Sequence, residues 1–282
     1  MIFDIHTHWF DEEIAASPAG WAGQNSEPHF GALMGGNKLQ SFKSIDDFLR
    51  DMDAAEVERA AIQGWYFENS ANCRRWNRRA YAAVKKHSDR LCAFASVNCA
   101  SSDFEGVLSE AFEMGFKGAG ELHDGVQGFS FGSAQFDEFC ACCAEKNFAI
   151  CLHLSDPRGR DYPNKVATQN SPAFDAARRN KSAKFLFAHF GGGEVFAENF
   201  SPPENVFYDC AANTFLYGAA AYKKLPDSVM EKFAFGSDYS LRLYPRKYKT
   251  AEMREFAAEN AAAVQKKFSQ KFFRGNFEML VG

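Results

Sequence analysis

No stretch of this chain stays apolar for the roughly 18–20 residues that a bilayer-spanning helix requires, so no membrane span is expected. An excess of charge of one sign is lacking too. The 32 Lys and Arg against 36 Asp and Glu leave a formal net charge of −4 with histidine neutral. Without a general basic field, nucleic acid is not an expected partner. No low-complexity tract, no solenoid-length repeat and no sign of a second domain interrupts the 282 residues. The opening Met1-Ile2-Phe3-Asp4-Ile5-His6-Thr7-His8 has no basic segment ahead of an apolar stretch and no small-residue cleavage site. No leader is therefore expected, and the cytoplasm is the expected location.

What is present is the make-up of a packed globular protein: 46% hydrophobic and 24% charged residues, which excludes a disordered chain. The 8 cysteines are scattered through apolar segments, as buried reduced thiols are, and not in the dense framework of a small secreted domain. Cys140-Ala141-Cys142-Cys143 contains a CxxC spacing, but no second pair or nearby histidine pair completes a zinc site. It falls within a helical pattern and reads as core packing.

Short β-branched or aromatic runs alternate with longer amphipathic stretches. Strands are predicted at 2–6, 59–63, 91–97, 116–121, 148–153, 184–189, 205–210 and 232–237, with helices at 44–55, 69–86, 103–114, 134–146 and 171–179 between them. Ser44 followed by Asp47 fits a helix start. Eight strands with intervening helices predict an α/β chain forming a distorted (β/α)8 TIM barrel, one domain over 1–282. The connection at 9–43 reads as a long, Gly-rich loop carrying Trp9, Trp21 and His29, of a length often used for lids or binding loops. His29 and His87 read as structural or exposed. The segment 251–282 reads as a long helix and a shorter one that seal the outside of the barrel.

Chemistry enters with Asp4-Ile5-His6-Thr7-His8. Alternate strand residues share a face, so His6 and His8 can reach one divalent ion, with Asp4 below them as a supporting partner. The ends of other predicted strands repeat the theme: Glu121 on strand four, His153 on five, His189 on six and Asp238 just past eight. In a parallel barrel these ends converge on one face, where catalytic residues sit. Packing favours apolar groups, so four histidines and an aspartate on one rim point to metal chemistry.

As a set, Asp4 to His8, the segment from Gly115-Phe116-Lys117-Gly118 to Gln127-Gly128-Phe129, His153, His189 with its following glycines, Gly236-Ser237-Asp238-Tyr239 and Gly275-Asn276-Phe277 with Leu280 resemble the amidohydrolase superfamily, in its amidohydrolase-2 branch of metal-dependent hydrolases and related decarboxylases. The resemblance covers nearly the whole chain. It implies a metallo-dependent hydrolase barrel, with His6, His8, His153 and Asp238 as metal ligands and His189 as the catalytic histidine. One element departs from that branch: where a Lys-Leu-His-Pro-like sequence is common, this chain has Glu121-Leu122-His123-Asp124. The Gly120-Glu121 pair is similar instead to metal-dependent deoxyribonucleases, in which a glutamate bridges two ions. If Glu121 bridges, His6, His8 and Asp238 hold one ion and His153 and His189 the other; otherwise a single ion and a free His189 base are expected. Lys117, at the start of its strand, lies at the wrong end of the barrel for a carbamylated ligand.

Nitrogen and carboxylate donors without cysteine suit Zn²⁺ best, with Mn²⁺, Fe²⁺ or Co²⁺ as alternatives. Such an ion lowers the pKa of its water from ~15.7 to about 7. Asp238 is placed to take the water's proton, and His189 to polarise a carbonyl or act as base. Arg158 and Arg242, on loops leaving the same face, are candidates to hold a substrate carboxylate or phosphate by a forked contact, and His123 to touch substrate. The expected activity is hydrolysis of a small carbonyl compound (cyclic amide, lactone or ester). Decarboxylation of an unsaturated or aromatic acid is the alternative, and phosphodiester cleavage the third. The expected partner is a small-molecule substrate, and a homo-oligomer is compatible with the sequence.

Overall fold

The computed structural model describes residues 1–36, 41–159, 161–212, 214–240 and 253–282. Eight parallel strands pair in sequence order: β1 (Ile2–Thr7), β2 (Val57–Ile62), β3 (Leu91–Ala95), β4 (Gly118–Leu122), β5 (Ala149–Leu152), β6 (Lys184–Phe187), β7 (Val206–Asp209) and β8 (Phe233–Ala234). The ring closes where the Ile5 amide donates to the Phe235 carbonyl and the Asp238 amide to the His6 carbonyl, both at 2.9 Å. The distorted barrel expected from the sequence is the fold observed.

The strands form because both of their faces are covered, so they read as continuous apolar runs such as Leu91–Ala95 and Ala149–Leu152. One set of side chains (Ile62, Ile150, Phe185 and Phe187 among them) packs outward against the helices. The other fills the barrel, with Phe3, Ile5, Phe94, Cys151, Leu186 and Phe207 in one cluster. The helices Ile45–Ala54, Ser70–Lys86 and Ala134–Glu145 start at Ser44, Asn69 and Ser133, each accepting a backbone N–H from the first turn, as at Ser44 Oγ from Asp47 N at 3.1 Å. The free cysteines are buried apart from Cys142, which is half-buried, and Cys140 and Cys143 sit in the core. Among the described residues no helix is long and apolar enough to cross a membrane.

Two segments differ from the sequence reading. The connection after β1 is not a loop: it holds the helices Glu12–Ala16, Pro18–Asn25 and Pro28–Gly36. Asp11 caps the first by accepting from Glu13 and Ile14, while Pro18 and Pro28 occupy first-turn positions that need no N–H donor. Burial of Trp21 and Phe30 then outweighs the helix-weakening glycines. At the other end, the last helix, Asn276–Val281, does not lie on the outside. Phe277, Leu280 and Val281 join the cluster inside the barrel, with the Phe277 ring edge-on to Phe3 at 5.2 Å. That plug closes the mouth where the strands begin and leaves the opposite mouth for chemistry.

Candidate metal centre

Parallel pairing brings the carboxyl ends of β1, β4, β5, β6 and β8 together, and six donors meet there. His6 Nε2 and His8 Nε2 are 3.2 Å apart; Asp238 Oδ1 lies 3.2 Å from His8 and 3.7 Å from His6. Glu121 Oε2 stands 3.7 and 3.6 Å from the same two nitrogens. Its other oxygen, Oε1, is 2.8 Å from His153 Nδ1 and 3.2 Å from His189 Nε2, and those nitrogens are 3.1 Å apart. The donors thus form two sets, His6/His8/Asp238 and Glu121/His153/His189, and Glu121 turns one oxygen to each.

Local backbone geometry makes this convergence attainable. Gly120 has φ +120°, and a Cβ there would run into the Cys151 carbonyl on β5. Only glycine lets the chain pass so close, and the next residue is Glu121, whose amide donates to the Gly64 carbonyl at 2.6 Å. A Cβ on Gly236 would stand 2.8 Å from the His6 Cβ, so that glycine makes room for the imidazole. His189 and Asp238 themselves have φ of +59° and +63°. Left-handed backbone costs a non-glycine residue about 1–2 kcal/mol and concentrates at functional positions. Here it is held by bonds from the His189 amide to Asp209 Oδ1 and from the Asp238 amide to the His6 carbonyl, both 2.9 Å.

Hydrogen bonds also fix two tautomers. His6 Nδ1 faces Asp209 Oδ2 at 2.8 Å and His189 Nδ1 faces the Ala211 carbonyl at 2.9 Å. Both oxygens can only accept, so each Nδ1 carries a proton and each neutral ring turns the Nε2 lone pair inward. Asp238 Oδ1 is buried and makes no hydrogen bond. Lone pairs packed this closely repel unless protons or a cation lie between them. Nitrogen and oxygen donors about 2.0–2.2 Å from a tetrahedral zinc ion stand roughly 3.4 Å from one another. The separations of 3.2 to 3.7 Å around His6, His8, Asp238 and Glu121 Oε2 match that spacing, so the residues fit a divalent ion.

Without a cation, protons take its place. Burial opposes charge on His6, but Asp209 and Glu121 outweigh it and raise its pKa well above the ordinary value. Burial likewise opposes charge on His189, yet the Glu121 carboxylate lifts it to about 9. For Glu121, burial disfavours ionisation, but the neighbouring His153 and His6 charges hold its carboxyl well below the usual range. Asp238 is lowered in the same way, burial being outweighed by His8, His6 and His189.

All six candidate ligands named from the sequence are therefore brought together. Asp4 does not support the imidazoles; its Oδ1 accepts from the backbone amides of His6 and Ser237, both at 3.1 Å, tying β1 to the end of β8. His123 lies beside the site, its ring parallel to His153 at 5.0 Å, with Nε2 donating to the Val166 carbonyl and Nδ1 without a partner. Burial and the His153 charge push its pKa down to about 3, so it is neutral. Arg158 is exposed, its guanidinium over the Tyr217 ring at 5.5 Å, and is not brought into contact with the cluster. Arg242 lies outside the described residues.

Sequence reasoning missed three neighbours. Asp209 ends β7 as His153 and His189 follow β5 and β6, and that shared position was the available signal. Trp65 and Tyr66, just after β2, stack on each other at 4.3 Å; Trp65 packs against His8 at 5.4 Å and Tyr66 lies near His123 and His153 at 5.1 and 5.9 Å. His29, read as structural or exposed, is half-buried at the rim, 5.9 Å from the Tyr66 ring. No periodicity marks Trp65, Tyr66 and His29, whose place follows from where β2 ends and where the third helix of the first connection begins.

Comparison with known proteins agrees with the barrel. A family model described as Amidohydrolase matches residues 3–279. No curated protein matches the sequence. Among solved structures, the chain is similar to the apo form of IDCase from Metarhizium anisopliae, at 15% identity and a TM-score of 0.71, covering 99% of this chain and 97% of that one. The 2,6-dihydroxybenzoate decarboxylase from Rhizobium superposes at 15% identity and a TM-score of 0.67, covering 99% and 98%. A probable 2-pyrone-4,6-dicarboxylic acid hydrolase from Acinetobacter baumannii does so at 14% identity and a TM-score of 0.65, covering 100% and 99%. At these identities the likeness speaks for the barrel alone.

Proposed function

The chain belongs to the amidohydrolase family, and from that premise we propose that it is a metal-dependent hydrolase of a small carbonyl substrate, a cyclic amide, lactone or ester. His6, His8, Glu121, His153, His189 and Asp238 hold its divalent ions, of which zinc best suits nitrogen and carboxylate donors. The observation that carries the proposal is the split of the Glu121 carboxylate, one oxygen to each histidine pair. When bound, such ions supply Lewis acidity and an ionisable water at neutral pH. The Asp238 carboxylate, buried among these side chains, accepts the proton of the attacking water and returns it to the leaving group. His189, with its Nδ1 proton committed to Ala211, offers only Nε2 inward, which would hold the second ion when that is bound and serve as base when a single ion is present. Trp65 and Tyr66 shield one side of the site from water, and the neutral His123 presents Nδ1 as an acceptor for a substrate N–H or O–H.

Decarboxylation of an unsaturated or aromatic acid is the second reading, favoured by the rings of Trp65, Tyr66 and His123 that line the site beside His153 and suit a planar substrate. Metal content and products separate these readings. Purified wild type should carry about two zinc equivalents and Glu121→Gln about one; a zinc-replete wild type holding less than about half an equivalent defeats the proposal. Incubation with lactone, amide, aromatic-acid and phosphodiester panels should give ring opening or acyl cleavage, and carbon dioxide release would transfer the assignment to a decarboxylase.

A further inference from the structure

One carboxylate outside the donor sets touches both of them. Asp209, at the end of β7, is fully buried and spends its two oxygens differently. Oδ2 accepts from His6 Nδ1 at 2.8 Å, while Oδ1 accepts from the amides of His189 and Ala211 at 2.9 and 3.0 Å. The Ala211 carbonyl in turn accepts from His189 Nδ1 at 2.9 Å. A single side chain therefore selects the His6 tautomer directly. It also anchors the left-handed turn that carries His189, and ties down the amide of Ala211, the residue whose carbonyl selects the His189 tautomer.

Resting on the metal-centre reading above, we infer that Asp209 is the positioning residue that sets up both donor sets at once, so that neither histidine presents a correctly directed Nε2 lone pair without it. A carboxylate is required because it offers acceptors on both sides. Asparagine can keep its amide oxygen toward the His189 and Ala211 N–H groups, but then turns an NH₂ donor to His6 Nδ1. The His6 ring must answer with a bare Nδ1 and a proton on Nε2, which takes up the lone pair that would otherwise hold the ion. Alanine removes the acceptor on both sides.

The test measures zinc binding by chelator competition on metal-stripped protein, with no substrate needed. Asp209→Asn should weaken zinc at the His6/His8/Asp238 set about 10–100-fold, the range for loss of a partner that orients a metal-binding histidine. Asp209→Ala should weaken both sets. Unchanged affinity in Asp209→Asn, or loss confined to one set in Asp209→Ala, overturns the inference while wild-type zinc binding leaves the metal-centre reading standing. Wild type that binds no zinc overturns both. A measurement on wild type alone guards against a variant that does not fold: ¹⁵N imidazole spectra of the zinc-loaded protein should show His6 protonated at Nδ1, and a bare Nδ1 refutes the assignment. In Asp209→Asn that Nδ1–H signal should vanish, an effect that a purely structural loss of packing would not produce.

Discussion

Histidines that face one another across 3.2 Å need something positive between them, and which positive species is present depends on pH. In the metal-free protein His189 titrates at about 9 against an ordinary 6.5, and His6 is raised as well. A raised folded-state pKa stabilises the protein fully below the unfolded value and ceases to do so as pH rises through the folded value. Metal-free protein should therefore lose stability between pH 6.5 and about 9, measurable as a falling midpoint in denaturant, while zinc-loaded protein should not show this loss. Zinc must displace those protons, so its affinity should climb over the same interval in a competition titration. His6→Ala combined with His8→Ala should remove most of the ion held by the first set, read by elemental analysis after dialysis; retention of the wild-type content contradicts the ligand assignment.

At the scale of elements, the site depends on where strands end and on what the loops beyond them are tied to. Gly236→Ala introduces a methyl 2.8 Å from the His6 Cβ and 3.2 Å from the Asp209 Cβ, atoms next to the main chain that cannot swing aside as a side-chain tip can. It should lower zinc affinity in the same competition assay while the far-ultraviolet circular dichroism of the barrel stays unchanged. The three-helix connection after β1 is fastened by Glu27, which is fully buried and accepts from the amides of Glu68 and Asn69 at 2.8 and 2.9 Å and from Asn72 Nδ2 at 2.8 Å. Those partners lie just beyond Trp65 and Tyr66, so the same carboxylate that fastens the connection also steadies one wall of the site. Glu27→Ala leaves buried donors without an acceptor and should cost about 1–3 kcal/mol in chemical denaturation. The glycines and small helices of this connection hid its order from sequence reading. Its stability comes from Asp11, Glu27 and the buried Trp21 and Phe30, whose partners are remote in sequence, and hardly from local propensity.

The whole molecule separates stability from chemistry by placing them at opposite mouths of the barrel. Phe277, Leu280 and Val281 plug the end where strands begin, and the six donors occupy the end where strands finish. Leu280→Ala should cost about 2–5 kcal/mol by cavity formation, read from denaturant midpoints, yet leave zinc stoichiometry at the wild-type value. A variant that loses zinc in proportion to stability would show that the two ends are coupled.

The alternation of apolar strands with amphipathic helices was sufficient for the barrel, because each element is shaped by its own periodicity and all crossovers in a parallel barrel have one hand. That these six side chains would gather at one mouth was equally legible, since residues such as His153 and Asp238 have no packing reason to stand at strand ends. Tertiary structure alone decided how those donors divide. Which oxygen of Glu121 faces which histidine, the replacement of Asp4 by Asp209 as the partner of His6, and the turn of the last helix into the barrel mouth all depend on contacts between distant segments. Such contacts follow from strand register, left-handed backbone at His189 and Asp238 and the clearance left by single glycines, none of which leaves a periodic trace along the chain.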